Sequence, residues 1–147
     1  MGSGLLTAPR SAQAQDAFSG TWRIVDSEAA PWAGEALPPD GKAMKQLKGR
    51  SVTFAASRVS GPASLACSKP RYEIQEVPPE GLFQGVLADP PRPSKPPASP
   101  EEAARRLGVT SPTVPTLSVG CTGIDFHLIG PNEALFALNN VVYRMRK

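Results

Sequence analysis

Proline and glycine interrupt this chain too often for long helices to form. Its 147 residues include 17 prolines and 13 glycines. Proline breaks helices and central strands, and glycine favours turns. Between these interruptions lie short runs in which apolar and polar residues alternate. A period of two is typical of β-strands that bury one face, so the spacing predicts many short strands joined by turns.

The alternating runs predict about eight strands. In the first, Trp22 and Ile24 share one face. Further strands are expected in the segments 50–54, 58–59, 71–77, 81–87, 114–119, 124–128, 134–138 and 141–146. Asn139 and Asn140 separate the last two runs, and because asparagine tolerates positive φ, they predict a tight hairpin. The predicted fold class is all-β, an antiparallel barrel or sandwich with one or two short helices.

Two short helices and one proline-rich loop interrupt the strand pattern. Asp40 is a suitable N-cap for the first helix. Ser99 has the features of a second helix start, with Pro100 in the first turn and Glu102 three residues after the cap. Residues 89–100 are too rich in proline to join a sheet, so we expect a polyproline-like surface loop there.

The N-terminal segment favours export from the cytoplasm. Ala12, Gln13 and Ala14 have the small-x-small pattern of a signal-peptidase site. The residues before them lack the apolar stretch of an intact signal peptide, and the alternative is an ordinary unstructured leader. We expect residues 1–15 to carry no fold, residues 16–147 to form one β domain, and the protein to be periplasmic or secreted.

The two cysteines, Cys67 and Cys121, are expected to form a disulfide. Each stands at the end of an apolar run. An even number of cysteines in an exported chain indicates pairing, whereas in a cytosolic chain they would be two unrelated thiols. A bridge closing a loop of this length stabilises the fold by roughly 4 kcal/mol in the chain-entropy model.

Charge and hydropathy argue against two classes of partner. The net charge is +3, and the cationic residues are spread along the chain with one modest cluster between Lys42 and Arg50. Nucleic-acid-binding surfaces usually carry a denser cationic stripe with stacking aromatic residues. No stretch approaches the length of about 18 apolar residues that a transmembrane helix needs. We predict no nucleic-acid partner, no membrane span and a monomer.

Few residues point to catalysis. The single histidine, His127, shares a strand face with Asp125. We expect this pair on the solvent-facing side of an edge strand, and the alternative is an acid–base pair. The sequence lacks a Gly-x-Ser-x-Gly elbow, a phosphate loop and a dinucleotide fingerprint. A transition-metal site would need three or four ligands. We therefore predict a non-enzymatic protein with no catalytic residue, no metal and no cofactor.

Four aromatic side chains are candidates for contact with a ligand or partner: Trp22, Trp32, Tyr72 and Tyr143. Packing in the core is the alternative for Trp22, Tyr72 and Tyr143. Trp32 follows a proline in a turn-rich segment. We therefore expect Trp32 to be the most exposed of the four, and it is the best single candidate for a lid or contact residue.

The Phe-x-Gly-x-Trp pattern from Phe18 to Trp22 resembles the first strand of the calycins, the superfamily of lipocalins and fatty-acid-binding proteins. In that family the tryptophan closes one end of a barrel, often beneath an arginine or lysine of the last strand. The resemblance implies that Arg144 or Arg146 packs on Trp22 in a cation–π contact. The short helix after Asp40 likewise resembles the lid of the fatty-acid-binding branch.

Two functions fit these observations. The favoured one is an exported, non-enzymatic binding protein with a lipocalin-like barrel around a small apolar ligand. It requires an apolar interior cavity of about 300 Å³ or more. The second is an exported protein–protein module, such as an inhibitor of lysozyme or protease or an envelope accessory factor. Its recognition element would be the proline-rich loop 89–100.

Overall fold

The computed structural model of the protein describes residues 16–91 and 99–147. The predicted leader, residues 1–15, and the centre of the predicted proline-rich loop, residues 92–98, lie outside these ranges. The strands are β1 Gly20–Ala29, β2 Ser51–Phe54, β3 Val59–Ser60, β4 Glu73–Val77, β5 Val114–Ser118, β6 Asp125–Gly130, β7 Glu133–Leu138 and β8 Val141–Arg146. They form one antiparallel sheet in the order β3-β2-β1-β8-β7-β6-β5-β4, which curls into a half-barrel. The all-β prediction is confirmed.

The helices within the described ranges are short. Those α-helices that lie entirely away from the undescribed residues are α1, Gly41–Leu47, and α2, Pro100–Arg106. Both predicted N-caps are confirmed, because Asp40 Oδ1 accepts the Ala43 N–H at 3.0 Å and Ser99 Oγ accepts the Glu102 N–H at 3.1 Å. In the described ranges no helix has the length and apolar character needed to cross a bilayer.

One predicted strand is wrong. The segment 81–87 does not join the sheet, and Pro79–Gly85 forms 3-10 turns with a kink between them. Phe83 and Gln84 have φ values of 52° and 61°, in the left-handed region that ends an extended strand. Leu82 and Phe83 are nevertheless buried. The apolar residues of this segment therefore indicated burial correctly, and only the backbone conformation differs.

From β5 to β8 the sheet is covered by apolar side chains on both faces. Because alternate residues of a strand point to opposite faces, Phe136 and Tyr143 belong to an inner cluster, and Leu135 and Val142 belong to an outer cluster. The outer cluster is completed by the Pro79–Gly85 segment and α2. The 3-10 segment and α2 thus add a second layer outside the half-barrel.

The concave side of the half-barrel is filled by aromatic rings. Phe126 lies 5.0 Å from Phe54 and 5.5 Å from Phe136, measured between ring centres. Phe136 in turn stacks on Tyr143 at 5.0 Å. Trp22 and these inner rings of β6, β7 and β8 are fully buried. The inner face is therefore a packed core.

The cation on Trp22 is Lys147, and the implied contact from Arg144 or Arg146 is wrong. Lys147 Nζ lies 5.7 Å from the centre of the indole ring. Arg144 and Arg146 alternate with inward-facing residues of β8 and therefore point outward. There Arg144 Nη1 donates to Glu133 Oε2 at 2.7 Å, and Arg146 Nη2 lies 3.8 Å from the same oxygen. The expected type of contact exists, but its cation comes from the residue after the last strand.

The predicted disulfide between Cys67 and Cys121 is confirmed. The two residues are 54 positions apart, and their Cα atoms lie 5.6 Å from each other. Cys67 exchanges two backbone hydrogen bonds with Val59 of β3, and Cys121 follows β5 by three residues. Strand β3 is one end of the strand order, and β5 is paired with β4 at the other end. The bridge therefore links the two sides of the half-barrel opening.

Candidate functional site

A cleft of about 350 Å³ lies on the outer face of the sheet, where β6 begins and the β7–β8 hairpin turns. We call it the outer cleft. The Pro79–Gly85 segment and the residues after β1 form its other walls. Its principal side chains are Trp32, Phe83, Gln84, Asp125, Asn139 and Asn140.

The cleft lies at the border of the outer apolar layer, where the Pro79–Gly85 segment no longer covers the sheet. His127 and Leu135 are paired across β6 and β7, and Phe83 covers this pair with its ring 5.0 Å from the imidazole. Asp125 lies two residues earlier on β6 and therefore about 7 Å away on the same face. Asp125 and Ala137 extend beyond the cover of Phe83 and line the cleft.

His127 is fully buried, so its predicted place on the solvent-facing side of an edge strand is wrong. Strand β6 lies inside the sheet, between β5 and β7. His127 Nε2 accepts the Phe83 N–H at 3.1 Å, and Nδ1 lies 2.9 Å from Thr116 Oγ1. The Thr116 hydroxyl donates to the Val114 carbonyl at 3.2 Å and so accepts from the ring. This network assigns the proton to Nδ1.

Burial keeps the imidazole neutral. It lowers the pKa of His127 from 6.5 to about 3 because a buried charge is poorly solvated. Both ring nitrogens already have partners, one in Phe83 and one in Thr116. The geometry gives His127 the role of an anchor that holds the Phe83 backbone against the sheet, and the alternative of an acid–base pair with Asp125 gains no support.

All four non-glycine residues with positive φ in the described ranges line the outer cleft: Phe83, Gln84, Asn139 and Asn140. The two asparagines, with φ values of 51° and 65°, form the predicted hairpin turn. Phe83 and Gln84 have no such turn preference, and a left-handed conformation costs such residues about 1–2 kcal/mol each. Strain of this kind persists only where surrounding contacts impose it, and it concentrates at functional sites.

Trp32 is buried, with 6% of its surface exposed, so the expectation that it is the most exposed aromatic residue is wrong. Its Nε1–H donates to Asn140 Oδ1 at 3.1 Å, and its ring lies 5.8 Å from Phe83. Asn140 is fixed in turn because its Nδ2 donates to the Pro38 carbonyl at 3.2 Å. Trp32 still contributes to the cleft wall, as part of a preformed surface.

The other three aromatic candidates lie away from the outer cleft. Trp22 and Tyr143 belong to the inner cluster. Tyr72 lies at the opening of the half-barrel, where its hydroxyl donates to the Ala55 carbonyl at 2.7 Å. Within residues 16–91 and 99–147, the Tyr143 hydroxyl is the buried side-chain polar group that lacks a hydrogen-bond partner. Burial and the nearby Asp40 carboxylate raise the pKa of Tyr143.

Asp125 supplies the carboxylate of the outer cleft. It is half-buried, and this burial raises its pKa. The described lining of the cleft contains no lysine, arginine or histidine. Across the described part of the chain, no three histidine, cysteine, aspartate or glutamate side chains converge as metal ligands. Sequence reasoning considered Asp125 only as a neighbour of His127, and it missed Phe83 and Gln84 because it placed them in a strand.

Comparison with known proteins finds no match. No protein family, no curated protein and no solved structure corresponds to this chain. The calycin resemblance of β1 therefore stays a prediction. The function has to be argued from the chemistry of the cleft, since one fold serves many functions.

Proposed function

We propose that this is an exported, non-catalytic binding protein and that it holds a small ligand in the outer cleft. One observation carries the proposal: the strained residues Phe83 and Gln84 line a cleft of about 350 Å³, and His127 holds the backbone of Phe83 in place. Small-molecule sites usually have volumes of about 300–1,000 Å³. The Cys67–Cys121 disulfide supports export, because disulfides persist in oxidising compartments.

Two observations favour the outer cleft over the barrel interior for the ligand. The inner aromatic rings are in mutual contact and fully buried, so a guest inside would have to displace them. A cavity that reaches the inner residues Phe18, Phe54 and Leu117 has a volume of about 160 Å³. This is about half of the smallest usual ligand site.

The cleft is suited to binding because its walls are already ordered. Trp32, Asn140 and Phe83 are each held by a hydrogen bond within the protein. A preformed wall lowers the entropy cost of binding. Gln84 and Asp125 leave polar groups available for orienting a ligand. The residues that the structure describes in the lining include no serine, cysteine, histidine or lysine, so they contain no nucleophile paired with a base.

Amide chemical-shift mapping with a fragment library tests this proposal. We expect saturable shifts at residues 83–86, 123–125 and 137–140. Gln84→Ala should weaken fragment binding, whereas Gln75→Ala, an exposed glutamine on β4, should leave it unchanged. Saturable shifts confined to inner residues such as Phe136 would place the site in the barrel interior instead. A library without any saturable binder would reject a small-molecule site.

The predicted protein–protein module has one observation in its favour. Pro91 lines the outer cleft, so the proline-rich loop starts at its rim. Replacing residues 92–98 by a glycine–serine linker distinguishes small-ligand binding in the cleft from protein recognition by the loop. If capture of one defined envelope protein is lost while fragments still bind the cleft, the loop recognises a protein. Unchanged capture would reject this second function.

A further inference from the structure

Asp125 differs from the other half-buried carboxylates of the protein. Within the described ranges these are Asp40, Glu76, Glu102, Asp125 and Glu133. Four of them accept a hydrogen bond at 2.7–3.0 Å: Asp40 from the Ala43 N–H, Glu76 from the Thr113 hydroxyl, Glu102 from Arg106 and Glu133 from Arg144. Asp125 has no such partner among the described residues. It is thus partly removed from water, and no described residue compensates for the lost hydration.

An unpaired carboxylate in this position attracts a positive charge. Burying an ionised group is costly unless a partner replaces the lost water. No lysine or arginine among the described residues lines the cleft, although the chain carries a net charge of +3. A cation in the cleft would form the ion pair that the described residues leave unmade, and it would also lower the raised pKa of Asp125.

The remaining lining adds two features that suit an organic cation. Trp32 and Phe83 form an aromatic wall, with ring centres 5.8 Å apart, and the face of an aromatic ring attracts a cation within about 6 Å. Val86, Ala137 and Leu138 give the cleft apolar surface. An inorganic ion would leave this surface unused, whereas an apolar body that carries a positive charge would contact both parts.

We propose that the outer cleft binds small organic cations, in which a protonated amine on an apolar body pairs with Asp125 beside Trp32 and Phe83. This inference rests on the proposed binding function and adds the chemical class of the ligand. The ammonium group donates to the Asp125 carboxylate. The apolar body lies along Val86 and Ala137, and the side-chain carbonyl of Gln84 offers a further acceptor.

Three probes of nearly equal shape test the proposal: benzylamine, benzyl alcohol and benzoate. We expect benzylamine, protonated at neutral pH, to bind at the cleft about tenfold more tightly than the alcohol, because a charge-assisted hydrogen bond exceeds a neutral one. Benzoate should bind most weakly. Affinities come from amide shift titrations of the whole protein, and added salt should weaken the amine selectively.

Asp125→Asn should abolish the preference for benzylamine over benzyl alcohol. The matched control is Asp26→Asn, which removes the same charge from an exposed position on β1 and should keep the preference. Thermal unfolding of both variants checks that they fold. The comparison of the three probes on the unaltered protein does not depend on either variant.

The possible outcomes distinguish failure of the cation inference from failure of the proposed binding function on which it rests. Equal binding of amine and alcohol at residues 83–86 and 123–125, or a preference that survives Asp125→Asn, overturns the cation inference and keeps the cleft as a binding site. Absence of shifts there with every probe overturns both. A lysine capped at both ends, Nα-acetyl-lysine-N-methylamide with a free ε-ammonium group, identifies the source of the cation. If it binds about tenfold more tightly than benzylamine, the natural cation is a lysine side chain; if benzylamine binds more tightly, the natural cation is a small amine.

Discussion

Acidification should release the anchor between His127 and Phe83. His127 is the single histidine of the chain, and its pKa is lowered by burial from 6.5 to about 3. Protonation of Nε2 would remove the acceptor of the Phe83 N–H and place an unpaired charge beneath the cleft wall. The pH dependence of the free energy of unfolding therefore reports how strongly the fold excludes this charge.

The size of the effect follows from the difference between the two pKa values. Below about pH 6.5 the unfolded chain takes up a proton at His127, whereas the folded protein takes it up only near pH 3. The stabilisation is thus complete above pH 6.5 and is lost as the pH falls towards 3. At about 1.4 kcal/mol per pH unit, the loss reaches about 2.7 kcal/mol at about pH 4.5.

Urea unfolding between pH 7 and pH 4.5, followed by tryptophan fluorescence, measures this loss. The control is His127→Gln, whose amide oxygen can accept the Phe83 N–H but does not titrate. Its stability should be lower at neutral pH and should fall much less on acidification. The raised pKa of Asp125 acts in the opposite direction, because its protonation favours the folded state as the pH falls. The reasoning would be refuted if the free energy of unfolding fell equally with pH in the unaltered protein and in His127→Gln. It would also be refuted if NMR showed that the His127 imidazole titrates near pH 6.5.

Three further substitutions test the core and its cross-link by urea unfolding. The double variant Cys67→Ala/Cys121→Ala should lose about 4 kcal/mol, because the bridge spans 54 residues; a loss below about 1 kcal/mol would mean that the bridge adds little to the folded state. Tyr143→Phe should be neutral or stabilise by up to about 1 kcal/mol, since it removes a buried hydroxyl without a partner, and a clear destabilisation would reveal a hydrogen bond. Lys147→Met should cost about 0.5–1 kcal/mol through the lost cation–π contact, with Arg146→Met as a control that leaves the indole contact intact.

The strand pattern was largely predictable because it depends on local chemistry. The alternation in β6, β7 and β8 and the turn at Asn139 and Asn140 were recognised from side-chain parity and from the tolerance of asparagine for positive φ. Side-chain parity would also have been sufficient to exclude Arg144 and Arg146 as the cation on Trp22. Arg144 and Arg146 alternate with the inward-facing residues of β8, so they point away from the indole.

The site was less predictable because it depends on contacts between distant residues. The apolar residues of segment 81–87 suit a strand as well as a loop that lies on a sheet, and the hydrogen bond from Phe83 to His127 stabilises the second arrangement. His127 is buried because Phe83 of the outer layer covers this face of β6, a contact that the sequence of β6 alone does not encode. Trp32 was expected to be exposed because no periodicity shows that the chain after β1 folds back over the outer face.

The second apolar layer on the outside of the half-barrel has a consequence for substitution. In β1 the outward residues Thr21 and Arg23 are exposed, so polar replacements there stay in contact with solvent. In β7 the successive residues Ala134, Leu135 and Phe136 are all buried, because protein covers both of its faces. A saturation scan of this sheet should therefore find alternating permissive and sensitive positions from Thr21 to Ile24 in β1, and no permissive position between Ala134 and Phe136.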